Sequence, residues 1–134
     1  MLRPNLKNFP KKDFKKKVRV VDPDYSFDFH DFEFNAVAVC SINEKPIHKN
    51  DRLYVMQGDE CRGIAYPQLF PPTNQYLWYL MTYSNEETEL GLHLEYYSYK
   101  QGKVLTSGSW GFVNNGIAGE AMDPVEIKFK KELK

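Results

Sequence analysis

Residues 58–66 read GDECRGIAY and place one of the chain's two cysteines beside an arginine. A thiol next to a fixed positive charge can ionise early and act as a nucleophile. Catalysis by that route also needs a base within reach. The histidines are His30, His48 and His93, and no spacing ties any of them to Cys61. The same letters suit a hairpin. Gly58 and Asp59 supply the turn, Cys61 fills a small buried position, and Arg62 faces out or pairs with an acid. No catalytic residue is assigned, and the expectation is a protein that is not an enzyme.

Two other groupings could bind something. DPDYSFDFHDFE offers Asp22, Asp24, Asp28, His30, Asp31 and Glu33. Asp28, His30 and Asp31 are the metal candidates, and oxygen ligands of this kind suit calcium. Their spacing matches no calcium loop, and an acidic strand edge that resists aggregation accounts for the same residues. NDR and GDE form a secondary calcium candidate, and the expectation is no cofactor, with Ca2+ as the alternative. A glycan site on a β-protein is a face of planar rings with a few polar groups. Tyr97, Tyr99 and Trp110 are candidates for it, with Tyr66, Tyr76 and Trp78 as a second set. Cores rich in strands need aromatics too, but Tyr97 and Tyr99 share a face with Glu89, His93 and Glu95, which predicts exposure.

The charges are divided along the chain. Residues 1–19 hold Arg3, Lys7, Lys11, Lys12, Lys15, Lys16, Lys17 and Arg19 against Asp13, a local charge of +7. The remaining 10 basic and 17 acidic residues give −7. Such an arm fits nucleic acid or an acidic protein surface, and a solvated, mobile terminus accounts for the same charges. With an acidic body, protein docking is favoured over nucleic acid. The partner-binding residues are Lys11, Lys12, Phe14, Lys15, Lys16, Lys17 and Arg19, with Phe9 as a further ring.

No apolar run approaches the ~18 residues of a membrane span, so no membrane insertion is expected. MLRPNLKNFPKKDFKKK has the charges of a signal-peptide n-region with no apolar region behind it. The chain is therefore expected to be cytoplasmic when made, a mature fragment, or part of a virion or cell surface, the last being favoured. Cys40 and Cys61 set no disulfide framework; two buried free thiols are expected, and a pair would form if their strands were neighbours.

The elements that must hold these residues read as strands. Aromatics make up 15% of the chain, with nine Tyr and nine Phe, and flat rings pack well on pleated surfaces. Residues 1–24 carry three prolines and a lysine run and read as an extended arm; residues 25–134 read as one domain. In YSFDFHDFEF the alternation slips parity at Asp31, which predicts a bulge or kink. Ala36–Cys40 and YLWYLMTYS are apolar on both faces and predict strands covered on both sides. RLYVMQ and CRGIAY form the hairpin, PQLFPPTNQ a loop, and TELGLHLEYYSY an alternating strand with Leu90, Leu92, Leu94 and Tyr96 inward. VLTSGSWGFV is a strand broken by glycines, NNGIAGEAMDP a loop, and VEIKFK the closing strand. Seven or eight short strands with turns between them fit an antiparallel β-sandwich, jelly-roll or Ig-like.

Several of these stretches carry a resemblance. HKNDRLYVMQGDECRGIAYP, then YLWYLMTYSNEETELGLHLEYYSYKQGKVL, then NNGIAGEAMDPVEI resemble β-sandwich modules of large secreted and cell-surface proteins of Bacteroidetes-like bacteria, over about residues 32–128. The resemblance implies a non-catalytic sandwich used in surface display or adhesion. The expected function is a structural or adhesion module that builds or decorates a surface or virion assembly, with a protein partner or further copies of itself; the alternative is a carbohydrate-binding module.

Overall fold

The computed structural model describes residues 19–44, 46–129 and 131–132. Among the described residues ten strands follow one 3-10 turn at Phe29–Asp31: β1 (Phe34–Ile42), β2 (Arg52–Gln57), β3 (Glu60–Ala65), β4 (Pro67–Phe70), β5 (Gln75–Ser84), β6 (Thr88–Ser98), β7 (Lys103–Val113), β8 (Ile117–Ala118), β9 (Val125–Ile127) and β10 (Lys131–Glu132). They form two sheets packed face to face. One has the order β4-β5-β1-β8, with β9 also on β1; the other has the order β10-β7-β6-β2-β3. We call them the β1 sheet and the β6 sheet. The architecture is an all-β sandwich, rich in antiparallel pairs. The parallel pairs are β1 with β8 and β1 with β9, where the chain crosses back to the β1 sheet after β7.

The β2–β3 hairpin turns at Gly58 and Asp59, with Gly58 at φ 60°. Its strands alternate into two separate apolar clusters. Leu53, Val55 and Ala65 join Ala38, Cys40, Trp78, Leu80, Leu92, Leu94 and Tyr96 in the core between the sheets. Tyr54, Met56 and Cys61 face the other way, with Tyr97 and Val104. Residues 19–32 cover that second cluster as a strap. The Val20 N–H donates to Gly102 O, the Tyr54 hydroxyl to Asp22 Oδ1, and the Tyr25 hydroxyl to Glu95. Tyr25 also stands edge-on against Tyr54, ring centroids 4.9 Å apart. The β6 sheet is therefore buried on both faces, by the other sheet and by the chain's own N-terminal segment.

Several sequence expectations need correction. The parity slip near Asp31 is the 3-10 turn itself, capped by Asp28 and followed by Phe34 opening β1; YSFDF is strap rather than strand. PQLF is an edge strand, and Pro67 opens it where a missing N–H costs no ladder bond. Leu90 is 78% exposed rather than inward. Gly91 takes φ 85°, and the β6–β7 register shifts on both sides of Leu92, which reverses the parity. The apolar stretches of β1 and β5 were expected to be covered twice, yet among the described residues only their inner face is packed against a sheet.

Candidate functional site

The residues of ECRG meet those of YSN at one edge of the sandwich. Arg62 is the extra residue where the β2–β3 register shifts, between Met56 opposite Cys61 and Val55 opposite Gly63. Its side chain leaves the ladder and turns toward the β1 sheet. Arg62 Nη1 donates to Glu89 Oε1 at 2.7 Å and to Tyr83 O at 3.2 Å, Nη2 to Glu89 Oε2 at 3.1 Å, and Nε to Glu60 Oε1 at 2.8 Å. The Ser84 hydroxyl and the Gln57 amide also donate to Glu89. Burial opposes charge on Arg62, but Glu89 and Glu60 outweigh it and raise its pKa. The same contact with Arg62 pulls Glu89 down to about 2. Gly63 then faces the core, where β3 packs on β5; a methyl there would fall inside contact distance of the Met81 carbonyl oxygen. Asn85 completes the corner by accepting from Glu33 N–H and donating to Asp31 O. Arg62 thus pairs with acids, as one of the two sequence alternatives had it, and the cluster ties the sheets and the strap together.

Cys61 lies under the strap, 4% exposed, its Sγ 3.5 Å from Gly63 O. Burial raises its pKa, and the nearby carboxylates Glu95 and Glu60 raise it further. A thiol among carboxylates is held in its unreactive form. His93 Nε2 lies 3.0 Å from Glu95 Oε2. Burial pushes Cys40, in the core, up to about 12. Both cysteines are free, and they sit in different apolar clusters, so no disulfide joins them.

A second buried carboxylate was missed as a structural element. Asp51 is fully buried and accepts from His48 N–H at 3.1 Å, Tyr99 N–H at 2.8 Å and the Tyr96 hydroxyl. It pins the loop before β2 to the end of β6, where His48 stacks on Tyr99 at 4.3 Å. Sequence reasoning placed Asp51 in the NDR calcium candidate. Its oxygens are occupied by N–H and O–H donors, a signal that lies only in the fold.

The glycan triad is not brought together. Tyr97 is 4% exposed, under the strap rather than open. Trp110 lies on the opposite face of the β6 sheet, against the core, its Nε1 donating to Thr82 Oγ1 at 3.2 Å. Tyr99 stays partly exposed, between His48 and the Arg19 guanidinium. Trp78 of the second ring set is fully buried, while Tyr66 and Tyr76 are exposed. Of the metal candidates, Asp28 Oδ1 accepts from His30 N–H and lies 3.0 Å from His30 Nδ1; the backbone bond first, then the side-chain bond, lowers the Asp28 pKa. Asp31 belongs to the same exposed turn. No group of three or more His, Cys, Asp or Glu side chains poised for a metal occurs among the described residues. Of the arm, Arg19 is described, donating to Tyr99 O; Lys11, Lys12, Phe14, Lys15, Lys16 and Lys17 lie outside the described residues.

Two surfaces formed by described residues stand open. The first is the outer face of the β1 sheet. Val37, Val39, Tyr79 and Met81 alternate away from the core, and Ile117 stands beside Val37. Leu77 on this face is buried, but Tyr79 is 39% and Ile117 81% exposed. The strands of this sheet carry one charged side chain, Glu126. The second is a groove of about 400 Å³ at one end of the sandwich, formed by Ser41–Glu44, Ile47, Thr73–Tyr76 and Glu126. Among the described residues no helix is long and apolar enough to cross a membrane. The chain matches no family model, no curated protein and no solved structure.

Proposed function

We propose that this protein is a non-enzymatic structural or adhesion module that builds or decorates a surface or virion assembly, and that it does so through the outer face of the β1 sheet. The observation that carries this reading is the near absence of charge in that sheet's strands beside the 81% exposure of Ile117. Outward positions of a solvated sheet are ordinarily polar, and contiguous apolar patches on soluble proteins mark interaction sites. The titration chemistry supports the non-catalytic part. Both thiols are shifted away from reactivity, as are the hydroxyls of Tyr25, Tyr54 and Tyr96, all chiefly by burial. The resemblance of ECRG and YSN to surface-display modules implies the same class.

The test is the native mass by sedimentation across a concentration series, for the full chain and for Ile117→Asp. Ile117 is too exposed to hold the fold, so the variant should keep its thermal midpoint and lose self-association or partner capture. An assembly unchanged by the charge removes the face from the reading.

The polar end groove favours a second reading, a carbohydrate-binding module. Exposed Tyr76 offers a ring, and Asn43, Asn74, Gln75, Glu44 and Glu126 offer the donors and acceptors a sugar needs. Glycan-array binding that disappears in Tyr76→Ala would establish it; no binding on the array would retire it.

A further inference from the structure

We infer that the occupant of the charge-poor face is the basic arm, residues 1–18, of a second copy of this chain, so that copies join head to tail. This rests on the assembly reading above and names its partner. Charge complementarity selects the occupant. The face itself is neutral, but the described residues around it are mostly acidic: Glu33, Glu86 and Glu87 at one end, Glu120, Asp123 and Glu126 along the β8–β9 edge. Lys49 and Lys128 are the described bases in the neighbouring loops. The same face of another copy would bring like charges together, which costs affinity. Residues 1–18 instead pair lysines with Leu2, Leu6, Phe9 and Phe14, an apolar and cationic mixture that matches a neutral centre with an acidic rim.

The place where the arm begins fixes the direction of the contact. Arg19 and Val20 are held to Tyr99 and Gly102, and the strap that follows lies on the β6 sheet. The docking face belongs to the other sheet, on the far side of the sandwich. An arm of 18 residues reaches at most about 60 Å when extended. It can meet the next copy without doubling back around its own edge. The donor surface and the acceptor surface then differ, so a contact that the same two copies do not return to each other is heterologous and generates rings or open chains.

Two full-length variants test this. F9S/F14S together with K15E/K16E/K17E spoils the arm and leaves every described contact in place. Ile117→Asp spoils the face. Each alone should be monomeric where the unmodified chain associates, and the association should weaken as salt screens the rim beyond about 8 Å at physiological ionic strength. Mixed one to one, the two variants should form a dimer and stop there, because the intact arm of one meets the intact face of the other. An arm variant that assembles like the parent overturns this inference while leaving the face as the interface. Two monomeric variants that fail to complement when mixed overturn docking between copies. An Ile117→Asp variant that assembles normally removes the face from the assembly reading and this inference with it.

Discussion

The two sheets of this sandwich solve the same problem in opposite ways. Each has an outward face that is richer in apolar groups than water favours. On the β6 sheet that face holds Tyr54, Met56, Cys61, Tyr97 and Val104, and the chain's own residues 19–32 lie over it. On the β1 sheet the face holds Val37, Val39, Tyr79, Met81 and Ile117; the strap's Phe27, Phe29 and Phe32 reach only its Tyr83 end, and Tyr79 and Ile117 stand exposed. The charges follow the same division. Strands β2, β3, β6 and β7 of the β6 sheet carry Arg52, Glu60, Arg62, Glu89, Glu95 and Lys103, several of them buried and paired, and β10 adds Lys131 and Glu132, while the β1 sheet carries Glu126. Buried charges demand partners fixed in place, so the β6 sheet is committed to its own strap and corner. Neutral apolar surface makes no such demand and can accept a cover from outside.

The largest effect on this contrast should come from the corner where the committed sheet is tied to the free one. Arg62→Met removes the cation and leaves Glu89 with Ser84 and Gln57 only. Breaking a buried pair by deleting one partner costs about 3–5 kcal/mol, a large fraction of the roughly 5–15 kcal/mol that holds a domain folded, so the urea midpoint should fall steeply. The same pair fixes the acid response. Glu89 is held at about 2 in the folded chain, below the ~4.3 of an unfolded glutamate. Its contribution is complete above the unfolded value and is lost as pH falls from about 4.3 toward 2. The parent should therefore destabilise across that window, and Glu89→Gln should be flatter there and weaker at neutral pH. Equal slopes would mean that Arg62 holds something other than Glu89.

Next in size is the close approach of the two sheets at Gly63. A methyl there would overlap the Met81 carbonyl, whereas a methyl at Gly108, in the same sheet, meets nothing within 4 Å. Overpacking of a core ordinarily costs about 1–3 kcal/mol, and a backbone neighbour cannot rotate aside. Gly63→Ala should sit at the upper end of that range in a thermal melt, and Gly108→Ala should be near neutral. Two equal melts would show that the sheets can move apart at β3.

This contrast also marks what the sequence could tell. The hairpin at GDECRGIAY was legible because glycine, turn acids and alternation are all local. The sandwich followed from many short strands with turns between them. What was not legible depends on distant contacts. Glu95 and Tyr97 alternate like solvent-facing residues, and nothing in their own strand announces that Tyr25, seventy positions earlier, closes over Glu95. Conversely, VAV and YLWYLMTY read as covered on both sides because apolar residues fall on both parities. Periodicity reports that a face is apolar, not whether a cover is present. Leu90 was misplaced because one glycine at positive φ shifts the register. The glycan triad failed for the reason Tyr97 did, and also because Trp110 lies on the opposite face of the sheet, toward the core. Arg62 was legible as one of two alternatives, but its partners, at residues 60, 83 and 89, were not.

The smallest effect is the one that tells whether the strap is a separate lid or an integral layer. Tyr25→Phe deletes only the hydroxyl that donates to Glu95, and His93 remains beside that carboxylate. The cost should be about 1.5 kcal/mol, the low end of the range for a bond to a charged acceptor, because this pair is only part-buried. The two cysteines report where that cost falls. Cys61 lies under the strap and Cys40 between the sheets, so they are shielded by different layers of the same molecule. Segments with few buried contacts open at less than the global free energy. If the strap lifts by itself, Tyr25→Phe should speed thiol labelling of Cys61 roughly tenfold, since 1.4 kcal/mol is a factor of ten, and leave Cys40 labelling as slow as in the parent. Labelling that accelerates equally at both thiols would mean that the strap leaves only when the whole sandwich unfolds. The β6 sheet would then be a three-layer core, and of the two sheets only the β1 sheet would have an outer face that can change its cover without unfolding.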